Sequence, residues 1–205
     1  MTDLAAALKE ELVGPDHEHV TTTGISNEKL AMWVFLGSEC LLFGGLISTY
    51  LLYKDEAVTG PTPHELYDIP FTSISSFILL MSSLTMVLAV AAIQRGDHRR
   101  LRIWLLTTAM LGSFFIAGQV YEFTVFVKEG MGFTTNAASS AFYTLTGFHG
   151  AHVTIGIIML LSTVVLSVRG RIPQHRAEAV EIVGLYWHFV DVVWVLIFTI
   201  VYLIK

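Results

Sequence analysis

Charge is what this sequence has least of. Only 14% of its 205 residues are Asp, Glu, Lys or Arg, against 54% from the hydrophobic set, and its mean hydropathy is +0.64. A soluble globular domain runs near a quarter charged, so charge has been removed in bulk rather than sorted to one face. That composition points to a membrane protein. Cysteine is almost absent too: the single Cys40 excludes an internal disulfide and any Cys-rich zinc site, and its place in an apolar run predicts a buried structural thiol. The 12 Lys and Arg against 17 Asp and Glu leave a net charge of −5. With no dense basic run interleaved with aromatics, a nucleic-acid partner is not expected. A signal peptide is not expected either. The start of the chain carries Asp3, Glu10, Glu11, Asp16 and Glu18, with neither a basic n-region nor an apolar core. The expectation is a retained polar tail over 1–29, in which only 4–12 has weak helical periodicity.

Long apolar runs, by contrast, are present five times. A bilayer core needs about 20 apolar residues in a helix, and such runs cover 30–53, 71–93, 103–127, 141–168 and 182–204. The links between them hold the charges and turn formers that the runs lack. A closed β-barrel is the other spanning solution, but its strands alternate every second residue and these runs do not. There is no internal repeat and no low-complexity tract. The fold class is therefore all-α, an integral membrane bundle of five transmembrane helices forming one domain over 30–205. Arg95, Arg99, Arg100, Arg102, Arg169, Arg171 and Arg176 fall in the second and fourth links, and Lys9 and Lys29 precede the first run; only Lys54, Lys128 and Lys205 fall on the other side. The positive-inside rule then places the N-terminus in the cytoplasm and the C-terminus outside. Trp33 and Trp104 fall at predicted inner ends and Tyr50, Tyr53 and Tyr202 at outer ends, as an aromatic belt requires.

Ionisable groups inside a span cost at least a few kcal/mol each, so each needs a reason. Three are carboxylates, Glu39, Glu122 and Asp191, and three are imidazoles, His149, His152 and His188. Counting ~1.5 Å per residue puts Glu39 and Asp191 roughly 12 to 15 Å from the inner edge, with His152 and His188 within about a turn of that level. Glu122 stands apart, nearer the outside. His188 and Asp191 share a helix face, so the carboxyl can hold the imidazole in one tautomer or pair with it when charged; His149 and His152 share a face in the same way. Gly37, Cys40, Gly44 and Ser48 make a small-residue stripe suited to close helix contact, while Glu39 lies about 200° round from Gly37 and faces another neighbour or a lipid-filled groove. Gly147 and Gly150, flanking His149, also admit a close helix.

Three readings of the polar set stand side by side. Ferritin-like bundles gather His and carboxylates around a metal, but through Glu-x-x-His pairs, whereas the close pairs here are His149-x-x-His152 and His188-x-x-Asp191. A metal is not the expectation. The second reading is mutual satisfaction across helix interfaces, worth around 1 kcal/mol or less per bond. The third is proton handling, with Glu39 held near neutral by a low dielectric.

"WVFLGSECLLFGGL" in the first span, "GQVYEFTVF" in the third, "FYTLTGFHGAHVTIG" in the fourth and "LYWHFVDVVWVLIFTIVYL" in the fifth together resemble subunit III of the haem-copper terminal oxidases. The loop "GPTPHELYDIPF" is similar to that of the bacterial members. The likeness runs from about residue 30 to the end, with four motifs in family order. It implies a subunit of a proton-pumping oxygen reductase of the bacterial plasma membrane, a complex that is an enzyme although this chain has no catalytic residue of its own. It implies haem and copper in partner subunits, none bound by this chain. Direct packing on subunit I is implied, with subunit II, a small subunit IV and membrane phospholipid as further partners. Carried over by motif, Glu39 is the buried glutamate of "SE", Glu122 that of "YEF", His149 and His152 the "HGxH" pair, and His188 with Asp191 the "WHFxD" pair. Longer family members have two further helices before the "SE" helix, which form one wall of a lipid cleft; this sequence has its first span at the third of theirs, the form usual in bacterial enzymes. Cytochrome c is the expected electron donor, quinol the alternative, and a self-contained metal-dependent membrane enzyme the competing class.

Overall fold

The computed structural model describes residues 26–54, 68–172 and 177–204. Among them the chain is helical throughout, with no strand. The helices are α1 (Asn27–Tyr53), α2 (Ile69–Gln94), α3 (His98–Lys128), α4 (Ala137–Val168) and α5 (Ala177–Phe198), the last continuing into a π-helical turn, Thr199–Leu203. Among the described residues five helices, counting α5 with its turn, are long and apolar enough to cross a membrane. The first four start before their apolar runs, each capped by a polar residue. The side chains of Ser26, Asp68, Asp97 and Asn136 accept from backbone N–H groups of the first turn, which have no partner inside the helix. At the other ends of α2, α3 and α4 the same device recurs. Gly96, Gly130 and Gly170 take positive φ, and the next residue's N–H returns to the helix, as in Asp97 to Ala92 O at 2.9 Å, a Schellman closure that a residue with Cβ would strain.

α2 and α3 form a tight hairpin across Arg95–Gly96–Asp97. α4 and α5 occupy the middle of the bundle, and α1 packs on α4 and α5 rather than on its sequence neighbour α2. Its buried residues are Leu36, Phe43 and Tyr50, seven apart and so on one stripe. At one end of the bundle, Lys29 Nζ lies 3.0 Å from Glu181 Oε2, Gln94 Nε2 donates to Glu181 Oε1 at 3.0 Å, and Ser26 donates to Glu178. Arg102 ties α3 to the end of α4, donating to Ser167 O at 2.8 Å and to its Oγ at 3.1 Å.

With little hydrophobic drive between helices in lipid, close packing and interhelical hydrogen bonds hold such a bundle. The ring of Trp187 is the wedge. A Cβ at Gly112 of α3 would meet it at 2.5 Å and one at Gly156 of α4 at 2.8 Å, so both glycines are needed for α3, α4 and α5 to close around the indole. Its Nε1 donates to Ser82 at 2.9 Å, and about two turns further along Trp194 Nε1 donates to Ser76 at 2.8 Å. Both serines are free to accept because each donates its own proton back to α2, Ser82 to Leu79 O and Ser76 to Thr72 O.

Several sequence expectations are corrected. Cys40 is exposed, because the face carrying Gly37, Cys40, Gly44 and Ser48 points away from the bundle; a Cβ at Gly37 or Gly44 would meet nothing within 4 Å. The same holds for Gly147, whereas a Cβ at Gly150 would strike Gln119 at 2.7 Å. Tyr50 and Tyr202 are buried in the bundle rather than standing in an outer belt. The tail segment 4–12 and most of "GPTPHELYDIPF" lie outside the described residues.

Candidate functional site

Three polar clusters lie among these helices, and each carboxylate named from the sequence sits in a different one. Glu39 of α1 meets His152 of α4, with Oε2 and Nε2 3.1 Å apart and side chains 14% and 12% exposed. Phe43 covers the imidazole edge-on, with ring centroids 5.1 Å apart. The other ring nitrogen, Nδ1, lies 2.7 Å from the carbonyl of Phe148. A carbonyl only accepts, so Nδ1 carries a hydrogen, and in the neutral ring Nε2 must then be an acceptor. The contact with Glu39 therefore contains one shared proton, held either as carboxylic acid to imidazole or as carboxylate to imidazolium. The Glu39 side of α1, not the glycine side, makes the helix contact.

The second cluster joins α2 and α5. His188 and Asp191 are linked through a residue that the sequence reading missed. Ser83 of α2 donates to Asp191 Oδ2 and lies 3.0 Å from His188 Nδ1. Asp191 is buried, and its Oδ1 has no hydrogen-bond partner among the described residues. The link between Asp191 and His188 thus runs through a hydroxyl: Ser83 gives its one proton to the carboxylate, so it accepts from His188 Nδ1–H.

Glu122 of α3 forms the third cluster, at the opposite end from Lys29, and is not alone. Its Oε1 is 2.9 Å from Thr72 Oγ1, and Tyr202 OH donates to its Oε2 at 3.2 Å. The single proton of Thr72 is shared between Glu122 and the carbonyl of Asp68 at 3.0 Å. Tyr202 arrives there through the π-helical turn: the wider turn slows the helix's rotation and keeps the phenol on the same side as Trp194 and Phe142, each with its ring 6.4 Å away.

His149 departs from the expectation of an interhelical polar link. It is fully buried, and neither ring nitrogen has a hydrogen-bond partner among the described residues. Its ring stacks on Trp194 at 4.8 Å and 27° and takes the edge of Phe115 at 5.8 Å. One turn along, His152 turns to α1, so the shared face divides between core and helix interface. The polar link on that side of α4 is made by Gln119 of α3, whose amide donates to Thr146 O at 2.7 Å. Among the described residues no three His, Cys, Asp or Glu side chains converge as a metal site would require.

The family model described as cytochrome c oxidase subunit III matches residues 7–205. The chain belongs to that family. The match reaches back well before residue 30, where the recognisable motifs begin. Cytochrome c oxidase subunit 3 of Bacillus sp. (strain PS3) is 42% identical over 86% of either chain. Quinol oxidase subunit 3 of Bacillus subtilis (strain 168) is 41% identical over 91% of either chain. Cytochrome bo(3) ubiquinol oxidase subunit 3 of Pseudomonas aeruginosa is 34% identical over 93% of this chain and 91% of its own length. The protein is thus subunit III of a haem-copper terminal oxidase, a multi-pass protein of the bacterial plasma membrane and one component of a multi-subunit enzyme.

Proposed function

We propose that this subunit serves a proton-translocating cytochrome c oxidase, packing directly on the catalytic subunit I and supporting its assembly and proton uptake. Subunit II and a small subunit IV complete the complex, and phospholipid occupies its lipid-facing surfaces. In this reading the tail 1–29 precedes a single membrane domain over 30–205. The N-terminus is cytoplasmic and the C-terminus outside, which sets the end that carries Lys29, Gln94, Arg102 and Glu181 at the inner surface, in line with the positive-inside rule. Haem and copper belong to the partner subunits.

The observation that carries the proton-linked part of this reading is the contact between Glu39 and His152, 3.1 Å apart at a partly exposed helix interface. A carboxyl retained inside a span marks a functional site. Subunit III of a quinol oxidase is the second reading, favoured by the 41% identity to the Bacillus subtilis quinol oxidase subunit. Purifying the native complex through a tag on this chain separates the two. A dinuclear copper signal from the second subunit is the expected result, and its absence from a fully assembled, haem-containing complex overturns the cytochrome c version.

A further inference from the structure

A groove of about 320 Å³ opens between α1, α2 and α5 at the Lys29 end of the bundle. Lys29, Gln94 and Glu181 stand at its mouth, Val87 and Leu185 line its walls, and His188 is part of its lining. Seven residues of α5 separate Glu181 from His188, about 10 Å along the axis, so the imidazole lies well inside the bundle from the charged mouth. Its Nδ1 is engaged with Ser83. Its Nε2 has no hydrogen bond among the described residues and yet is not among the buried unpartnered atoms, so it reaches the accessible surface. Beyond Ser83 lies only the carboxyl of Asp191, with Oδ1 unpartnered. One turn further along α5, Trp194 is stacked with His149 and Phe115, and no hydrogen bond among the described residues continues from Asp191 towards Glu122.

We propose that His188 and Ser83 form a proton relay from this groove to Asp191, making the buried carboxyl a proton-binding site that fills and empties from the Lys29 end alone. The inference rests on the proposed orientation only for the name of that end, the cytoplasmic side. The transfer balances as follows. A proton from the groove binds His188 Nε2, the Nδ1 proton passes to Ser83 Oγ, and the proton of Ser83 passes to Asp191 Oδ2. One proton has entered, one rests on the carboxyl, and the imidazole has exchanged tautomers.

The other titratable groups facing α5 are engaged elsewhere. From α1, Lys29 bonds Glu181 and Glu39 bonds His152. From α4, His149 stacks on Trp194, and from α3, Glu122 takes Tyr202 at the far end. α2 has no charged residue from Ile69 to Gln94 and offers hydroxyls, with the Gln94 amide held on Glu181 at the mouth. A short, hydrogen-bonded chain with one end on the groove and one dead end can therefore exchange with one side of the membrane.

The test is infrared spectroscopy of the purified complex in vesicles, with the carboxyl stretch of Asp191 assigned by its loss in Asp191→Asn. In the wild type the band should deuterate within minutes and respond to a pH jump applied on the inner side, not the outer. Ser83→Ala should slow deuteration about a hundredfold, the low end of what a positioned proton-transfer partner contributes. Ser83→Thr, which keeps a hydroxyl, should retain the wild-type rate. A band that exchanges equally fast in Ser83→Ala, or one that in the wild type does not exchange over hours, overturns the relay. A wild-type response to the outer pH jump overturns the one-sided version. If the tagged chain purifies without haem-bearing partners, the oxidase assignment fails, while the exchange of the band still decides the relay.

Discussion

Replacing Gly156 by alanine adds one methyl group where the structure has no room for it. The new Cβ would lie 2.8 and 2.9 Å from two carbons of the Trp187 ring and 3.3 Å from Tyr186. The ring cannot retreat, because a Cβ built at Gly112 marks its opposite edge at 2.5 Å and its Nε1 is fixed on Ser82 at 2.9 Å. Overpacking of this kind costs about 1–3 kcal/mol, and losing the indole hydrogen bond adds about 1 kcal/mol. The gain in helix propensity on leaving glycine returns about 1 kcal/mol. The net expectation is destabilisation by about 1–3 kcal/mol, against no loss for Gly37→Ala, where nothing lies within 4 Å of the added carbon. Unfolding of the detergent-solubilised complex with increasing SDS, followed by tryptophan emission, reads both variants. If the clash is with the indole, Trp187→Phe should absorb most of the cost of Gly156→Ala in a double-mutant cycle. Equal stability of Gly156→Ala and wild type, or strict additivity in the cycle, refutes the wedge.

The remaining predictions concern the polar clusters. Glu39 should be labelled by a hydrophobic carbodiimide, and Glu39→Gln should leave assembly largely intact while lowering proton uptake; unaltered uptake with misassembly would make the residue structural. Tyr202→Phe removes one of the two hydroxyls at Glu122 and should destabilise that end of the bundle by about 1 kcal/mol, read as a lowered thermal midpoint, with Glu122→Gln restoring part of it. Asp191→Ala leaves Ser83 without its acceptor and should reduce retention of the subunit during purification; a fully populated, stable complex would count against this. His149→Phe should be tolerated, because the ring's contacts are aromatic rather than hydrogen-bonded, and a loss of folding on that change would show that an imidazole nitrogen is engaged.

The five helices are legible in the sequence because a membrane span is a statement about composition over about 20 residues, and composition needs no partner to be read. The clusters are less so. Glu39, Glu122 and Asp191 declare themselves as costly ions in apolar runs, but their partners do not. Ser83, Thr72 and Tyr202 are common residues in membrane helices and carry no charge to attract notice. A helical stripe through Thr72, Ser76, Leu79 and Ser83 was the available signal, since these share one face of α2. Helix faces were harder still. Small residues suggested contact at Gly37 and Gly44, yet a close approach needs a neighbour as well as space, and α1 presents that face outward. The π-helical turn that delivers Tyr202 has no local sequence mark, because it follows from where the phenol can reach Glu122.

Separation of the three carboxylates follows from how an anion is compensated in a medium without water. A charge at the bilayer's middle needs donors at once, and α2, which carries no charge, supplies hydroxyls to two of the three sites: Thr72 to Glu122 and Ser83 to Asp191. Hydroxyls bring no positive charge, so these two carboxyls are bound by hydrogen bonds that also suit the neutral acid. Glu39 alone is matched with an imidazole that can itself take the proton. A proton can therefore shift within the Glu39–His152 pair without changing the net charge of the interface, whereas at Glu122 or Asp191 any proton lost leaves a net anion in the bundle. The pair at the α1–α4 interface can thus move a proton with no change of net charge, and the two carboxyls that α2 serves exchange only as fast as a route to water allows.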